Sequence, residues 1–287
     1  MISMYDIDAL ISQTATLATP PTTYYQLNSA INNPNSSLKD IGDIINQDAS
    51  LTAQLLRIAN SAFFSFPAEI TTVAQAITIV GIQQLRELTL ACTVLRAFPS
   101  IPNDDFNING FWQHSLGVAV ASRVIASLRK ESNVERYYVL GLLHDIGRII
   151  ICLGDPGGAR KLLQTTHQSK RLLHETELAL WQVDHGEIGA RFLAHWHLPP
   201  SIHQPIHHHH HPESAEHYQD ECATLHMADI IAHALQLGNS GEKRIAPLSD
   251  IAWQRLGITL EQLPEMTEQV KLQYHESIQL FKSTLHS

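Results

Sequence analysis

Apolar residues return every three or four positions along most of this chain, and no stretch alternates in the manner of a strand. Leu51, Leu55, Ile58 and Ala62 fall on one helical stripe behind Asp48, a residue type that caps helix N-termini. Thr72-Val73-Ala74-Gln75 has capping-box spacing and predicts a short helix that Gly81 ends. Leu85, Leu88, Cys92 and Leu95 mark the next helix. Pro99, Pro102 and the polar stretch 103–109 then interrupt the pattern, which places a boundary near 105. Beyond it the periodicity predicts helices over 111–128 and 134–152, the second closed by Gly154, Pro156, Gly157 and Gly158. Another follows over 159–167. Asp184-His185-Gly186-Glu187 is a second capping-box pattern, with His185 in the first turn of a helix that Pro199 and Pro200 stop. A short helix should lead into His209 and His210, a longer one should cover 223–235, and one or two more should fall within 260–281. The expected fold class is all-α: an N-terminal helical part (1–105), a second helical part packed on it (106–240) and a helical extension (241–287).

Chemistry enters at His144-Asp145. The pair lies in the apolar run Leu140-Gly141-Leu142-Leu143-His144-Asp145-Ile146-Gly147-Arg148-Ile149-Ile150. A buried carboxylate without partners costs several kcal/mol or gives up its charge. A divalent cation is a partner that serves both side chains, and His114, His185, His209, His210 and Asp229 offer further ligands. Most of these stand on separate predicted helices, as metal sites in helical bundles require. Imidazole and carboxylate together favour Fe, Mn, Zn, Ni or Co over Ca or Mg. Gly141, one turn before the pair, is expected to leave room for a ligand or water. Each residue also has a plainer reading as a hydrogen-bonded core or surface group. Asp229 stands at helical spacing from both His226 and His233 and can pair with either. The remaining histidines, His174 and His203 among them, carry no functional expectation.

Composition narrows the classes. The 287 residues are 44% hydrophobic and 16% charged, which is globular. The 19 Lys and Arg against 28 Asp and Glu give a net charge of -9, which argues against general nucleic-acid binding. Cys92, Cys152 and Cys222 form no paired motif and point to reduced thiols in a cytoplasmic protein. The first 20 residues lack the basic start of a secretory signal, and the apolar stretch 139–153 is too short and too polar to be expected in a membrane.

The order His, His-Asp, His, His-His, Asp on a helical chain resembles the HD superfamily of metal-dependent phosphohydrolases, and more closely its HDOD branch. The stretch from Gln47-Asp48-Ala49-Ser50-Leu51 to Arg57-Ile58-Ala59-Asn60-Ser61-Ala62 is similar to that family's N-terminal motif. Phe111-Trp112-Gln113-His114, Gly141-Leu142-Leu143-His144-Asp145, Asp184-His185-Gly186-Glu187 and Trp196-His197-Leu198-Pro199 are similar to its later blocks. Residues 206–212 fit an Ile-x-x-His-His-x-Pro pattern, which singles out His209 and His210 within the five-histidine run. The resemblance covers about 17–235. It implies that 106–240 is an HD-type metal-binding part. It also implies a pair of divalent ions: one on His114, His144, Asp145 and Asp229, the other on Asp145, His185, His209 and His210. Arg148 stands where HD enzymes often carry a phosphate-binding lysine.

Two functions follow from the resemblance. The first is a regulatory HDOD module that acts on signalling proteins, with a nucleotide or cyclic dinucleotide as its expected ligand and a homodimer as an open alternative. The second is an active phosphohydrolase, in which Asp145 bridges the ions and Arg148 contacts the phosphate. In ligand order the chain also resembles the HD-GYP cyclic-di-GMP phosphodiesterases. It departs from them at His211-Pro212-Glu213-Ser214, where their Gly-Tyr-Pro segment would stand, and at Gly110, where they carry an acid.

Overall fold

A computed structural model of the chain describes residues 6–15, 22–60, 69–98 and 106–285, with side chains to 279. Every regular element among them is helical. The first part holds α1 (Ile7–Ala15), α2 (Thr22–Asn32), α3 (Leu38–Asn46), α4 (Ala49–Ala59), α5 (Val73–Val80) and α6 (Ile82–Ala97). The second begins with α7 (Ile108–Leu128), α8 (Val134–Leu143), α9 (Ile146–Gly154), α10 (Pro156–Ser169) and α11 (Leu173–Trp181). It continues through α12 (His185–His195), α13 (Pro200–His207), α14 (Gln219–Ala234), α15 (Asp250–Leu256) and α16 (Leu263–Leu285).

The caps do what their residue types dictate. Asp48 accepts from Leu51 N–H at 2.9 Å, Thr72 from Gln75 N–H at 3.2 Å and Asp184 from Glu187 N–H at 2.9 Å, each satisfying an N–H that the helix itself leaves unpaired. Gly81 ends α5 at φ 96°, a conformation open to glycine. Ala62 of the expected stripe and the expected break at Pro99 and Pro102 lie outside the described residues.

The fold is organised around α7, which buries 15 of its 21 residues and packs against α8, α14 and α16. Two close helix approaches set its inner geometry. A Cβ on Gly141 would lie 2.6 Å from the Cα and the N of Ala119, so α8 and α7 touch backbone to backbone. Gly141 therefore serves helix packing and leaves no room for a ligand, contrary to the sequence expectation. A Cβ on Gly147 would lie 2.0 Å from the His185 carbonyl oxygen and 2.7 Å from Gly189 N, so α9 and α12 make the same kind of contact. The first part joins the second through α6 on α8, while α1 packs on α9 and α12 and α4 touches α16. One apolar core runs through both parts.

Three further expectations need correction. The predicted helix 134–152 is two helices, α8 and α9, with His144 and Asp145 in the gap. Asp145 adopts φ -98°, ψ 11°, and its carbonyl accepts from Arg148 N–H at 2.9 Å, a tight turn that redirects the chain. Pro156, Gly157 and Gly158 open α10 behind the cap Asp155 rather than forming a loop, since proline at N1 sacrifices no hydrogen bond. Helices α1–α3, α11 and α15 have no counterpart among the helices expected from sequence. Within Val134–Gly154 an 18-residue stretch of mean hydropathy 1.4 is long and apolar enough to cross a membrane, contrary to the sequence expectation, yet 83% of that stretch is buried inside this fold.

Gly147→Ala should force α9 from α12, because the added methyl meets main chain that cannot rotate aside. The expected cost is about 1–3 kcal/mol, read as a lower denaturation midpoint in urea; an unchanged midpoint would contradict the close contact.

Candidate metal centre

The helical frame delivers seven histidine and aspartate side chains to one place. His114 comes from the middle of α7 and Asp229 from the middle of α14. His144 and Asp145 come from the break between α8 and α9, and His185 from the first position of α12. His209 and His210 follow the end of α13. Six of the seven are buried, and His210 is partly exposed.

They fall into overlapping groups. His114, His144 and Asp229 present ligand atoms within 4.8 Å of one another, as do His185, His209 and His210, and also His144, Asp145 and His209. His114 Nε2 is 3.0 Å from Asp229 Oδ1, with His144 Nε2 3.7 Å from the same oxygen. Asp145 Oδ1 is 2.9 Å from His185 Nε2, 3.4 Å from His144 Nε2 and 3.8 Å from His209 Nε2, and so stands between the groups. His210 Nε2 lies 2.8 Å from His185 Nε2.

The outer faces of the imidazoles explain this convergence. His144 Nδ1 faces the Gly141 carbonyl at 2.8 Å, His209 Nδ1 the Ile206 carbonyl at 2.6 Å, and His114 Nδ1 the Leu237 carbonyl at 3.3 Å. A carbonyl can only accept, so each Nδ1 carries the proton and donates it. In the neutral ring, each Nε2 then keeps its lone pair directed inward. His185 Nδ1 faces the Glu177 carboxylate at 2.6 Å, and the same carboxylate oxygen accepts from the His185 backbone N–H at 2.9 Å. An acid behind a histidine in this way orients the ring and raises its basicity as a ligand.

The inward nitrogens of His144 and His209 are buried and have no hydrogen-bond partner. An orphaned buried acceptor costs about 1–3 kcal/mol. A divalent ion coordinated there would use both lone pairs, and the mixed imidazole–carboxylate set fits a transition metal. The charges within the cluster divide its rings: burial opposes a charge on His144, but Asp145 and Asp229 outweigh it and raise that pKa. Burial lowers the pKa of His209 to about 3, with the charges of His144 and His185 adding to the effect, and it lowers those of His114 and His210. Burial opposes ionisation of Asp145, but His144, His185 and Arg148 outweigh it and hold the carboxyl well below its usual range. Asp229 is held down likewise against burial, first by the charge of His233, which lies 3.0 Å away, and then by the neighbouring imidazoles of His114 and His144. For His185 burial is again overcome, here by Glu177 and Asp145, and its pKa rises well above the ordinary value.

Several participants were not singled out by sequence. Glu177 is fully buried behind His185, and no local spacing links the two. His174 stacks on His210 with ring centroids 4.1 Å apart and fixes that ring's plane. Of the two histidines at helical spacing from Asp229, His233 is its partner, at 3.0 Å. His226 instead donates to the His209 carbonyl at 2.9 Å and accepts from Ser249 N–H at 3.0 Å, which fastens the histidine pair from behind.

A small cavity of about 30 Å³ opens beside these groups, with Asp145, Arg148, His185, His210, Ser240 and Arg244 in its wall. Arg148 is buried and reaches Asp145 Oδ2 at 3.2 Å. The cavity therefore combines imidazole nitrogens, the Asp145 carboxylate and guanidinium groups.

Known proteins share this architecture. A family model described as the HDOD domain matches residues 17–212. An uncharacterized protein of Treponema pallidum is 25% identical over 217 residues, which cover 73% of this chain and only 41% of that protein's length. The crystal structure of an HDOD domain protein of unknown function from Geobacter sulfurreducens superposes with a TM-score of 0.74 at 23% identity, covering 93% of this chain and 97% of that one. A Shewanella amazonensis protein inferred to be a phosphohydrolase superposes with a TM-score of 0.66 at 28% identity, covering 94% of this chain and 100% of that one. With its family model matched over more than half its length and the same helical architecture in these relatives, this chain belongs to the HDOD family of the HD superfamily.

Proposed function

We propose that this HDOD protein holds two divalent transition-metal ions and hydrolyses a phosphate ester over them. The observation that carries the reading is the orientation of the rings: main-chain carbonyls and Glu177 accept from the outer nitrogens of four histidines and turn their inner nitrogens toward one cluster, where those of His144 and His209 have no partner among the described residues. The relative inferred to be a phosphohydrolase, at 28% identity over nearly the whole chain, supports it. In this reading His114, His144, Asp145 and Asp229 hold one ion, and Asp145, His185, His209 and His210 the other. Iron, manganese, zinc, nickel or cobalt suits these donors.

Ions held in this way supply Lewis acidity, which makes a water nucleophilic near neutral pH and draws charge from a phosphoryl oxygen. The chain's own groups do the rest. Asp145 joins the two ligand sets through one carboxylate. Arg148 steadies that carboxylate and offers its remaining N–H groups to a phosphate oxygen entering the cavity. Glu177 sets the plane of His185, and His174 that of His210. Burial of the ligand groups limits bulk water and strengthens each electrostatic contact.

A second reading, ligand binding without turnover, draws on the segment after the histidine pair. Pro212–Ser214 forms a short 3-10 turn there, with Ser214 Oγ donating to the His211 carbonyl at 2.7 Å. In that reading a nucleotide ligand biases contacts with signalling proteins.

Metal analysis of untagged protein, followed by phosphomonoesterase and phosphodiesterase assays with manganese or iron, separates the two. The expected result is two ions per chain and measurable hydrolysis, with Asp145→Ala losing both; bound metal without turnover on any ester favours the second reading. Unchanged stoichiometry in Asp145→Ala would overturn the site itself. Glu177→Gln should keep the fold and weaken metal binding by about 10–100-fold, measured by competition with a chelating dye; affinity equal to the parent would remove Glu177 from the site.

A further inference from the structure

Residues 238–249 lie beyond the stretch matched by the HDOD family and run between α14 and α15 along the mouth of the metal cavity. They are fastened at three points. At the start, Gly238 adopts φ 74° and presses on α7, where a Cβ would lie 2.1 Å from His114 N; Asn239 N–H donates to the Gly110 carbonyl at 2.8 Å. In the middle, the Glu242 carboxylate accepts from Leu173 N–H at the start of α11, at 2.5 Å, and from Lys243 and Arg244 N–H at 2.7 and 2.8 Å. At the end, Ser249 N–H donates to His226 Nε2. The segment is a strap tied to α7, α11 and α14.

Its alternate residues Ser240, Glu242, Arg244 and Ala246 line the cavity. Ser240 is occupied by His233 Nε2 at 3.1 Å, and Glu242 by its three backbone donors. Arg148 is shared with Asp145. Arg244 is exposed and makes no side-chain ion pair or hydrogen bond among the described residues, although it stands in the cavity wall. It is an exposed cation in the wall of the cavity that Asp145, His185 and His210 also line.

We infer that this strap selects a ligand with two anionic groups, one at the metal ligands and Arg148, the second at Arg244. The inference rests on the phosphate reading of the centre and names its substrate class: a diphosphate, or a phosphate ester that carries a further anion. Gly241, at φ 87°, has its ideal Cβ position 2.9 Å from an Arg148 terminal nitrogen, so the strap passes beside the inner arginine, and Arg148 and Arg244 line the same cavity.

The test is calorimetric titration of manganese-loaded full-length protein with inorganic phosphate and with pyrophosphate. The parent should bind pyrophosphate more tightly by about tenfold or more, and Arg244→Ala should reduce that ratio to within about threefold. Metal chelation by pyrophosphate is common to both proteins and cancels in the comparison. Lys243→Ala, the neighbouring charge that does not line the cavity, should keep the parent's ratio. A ratio near unity in the parent, or one that Arg244→Ala leaves intact, overturns the inference while the phosphate site stands. Failure of both anions to bind the metal-loaded parent overturns the phosphate reading and the inference together.

Discussion

Main chain touching main chain is the constraint on which this structure depends. Hydrogen-bond and metal-ligand geometry demands side-chain atoms within about 3 Å of one another, and helices held apart by ordinary side chains pack with axes roughly 8–10 Å apart. The glycine contacts between α7 and α8 and between α9 and α12 close that gap. Gly141 brings the end of α8, and with it His144, against the helix that carries His114. Gly147 brings Asp145 within 2.9 Å of His185. Without the Gly147 approach the buried Asp145 would lack His185, one of the imidazoles that hold it ionised.

The break at His144-Asp145 is the second consequence of the same packing. A continuous helix would send two successive side chains about 100° apart. The tight turn at Asp145 instead lets both reach one centre while α9 departs along α12. His226 and Ser249 then support His209 from the opposite side, so the centre is bounded by elements from most of the second part of the chain.

Much of this was legible in sequence, for local reasons. Asp48, Thr72 and Asp184 sit at helix starts, because a side-chain oxygen there pairs with an N–H three residues on, a relation readable from spacing alone. The candidate ligands were legible because imidazoles and acids are conspicuous in apolar surroundings. The break between α8 and α9 was hidden. Residues from Leu140 to Ile151 are all buried, so burial runs unbroken across it and the close contact at Gly147 marks where the second helix departs. Gly141 was misread for the same reason, since a missing side chain says nothing about what fills the space. Glu177 was invisible because it meets His185 from another helix, and the choice of His233 over His226 for Asp229 turned on Ser249, a residue far along the chain.

Three of the four outer acceptors that orient the histidines are backbone carbonyls, those of Gly141, Ile206 and Leu237. No point substitution can delete a carbonyl. The instruction that aims an imidazole inward is therefore stored in the path of the chain and not in a neighbouring side chain. A descendant that exchanged one of these histidines for another residue would keep the socket, and a single reversion would restore a donor already in its working tautomer. On this scaffold, the position and orientation of an inward imidazole nitrogen are encoded apart from the histidine that supplies it.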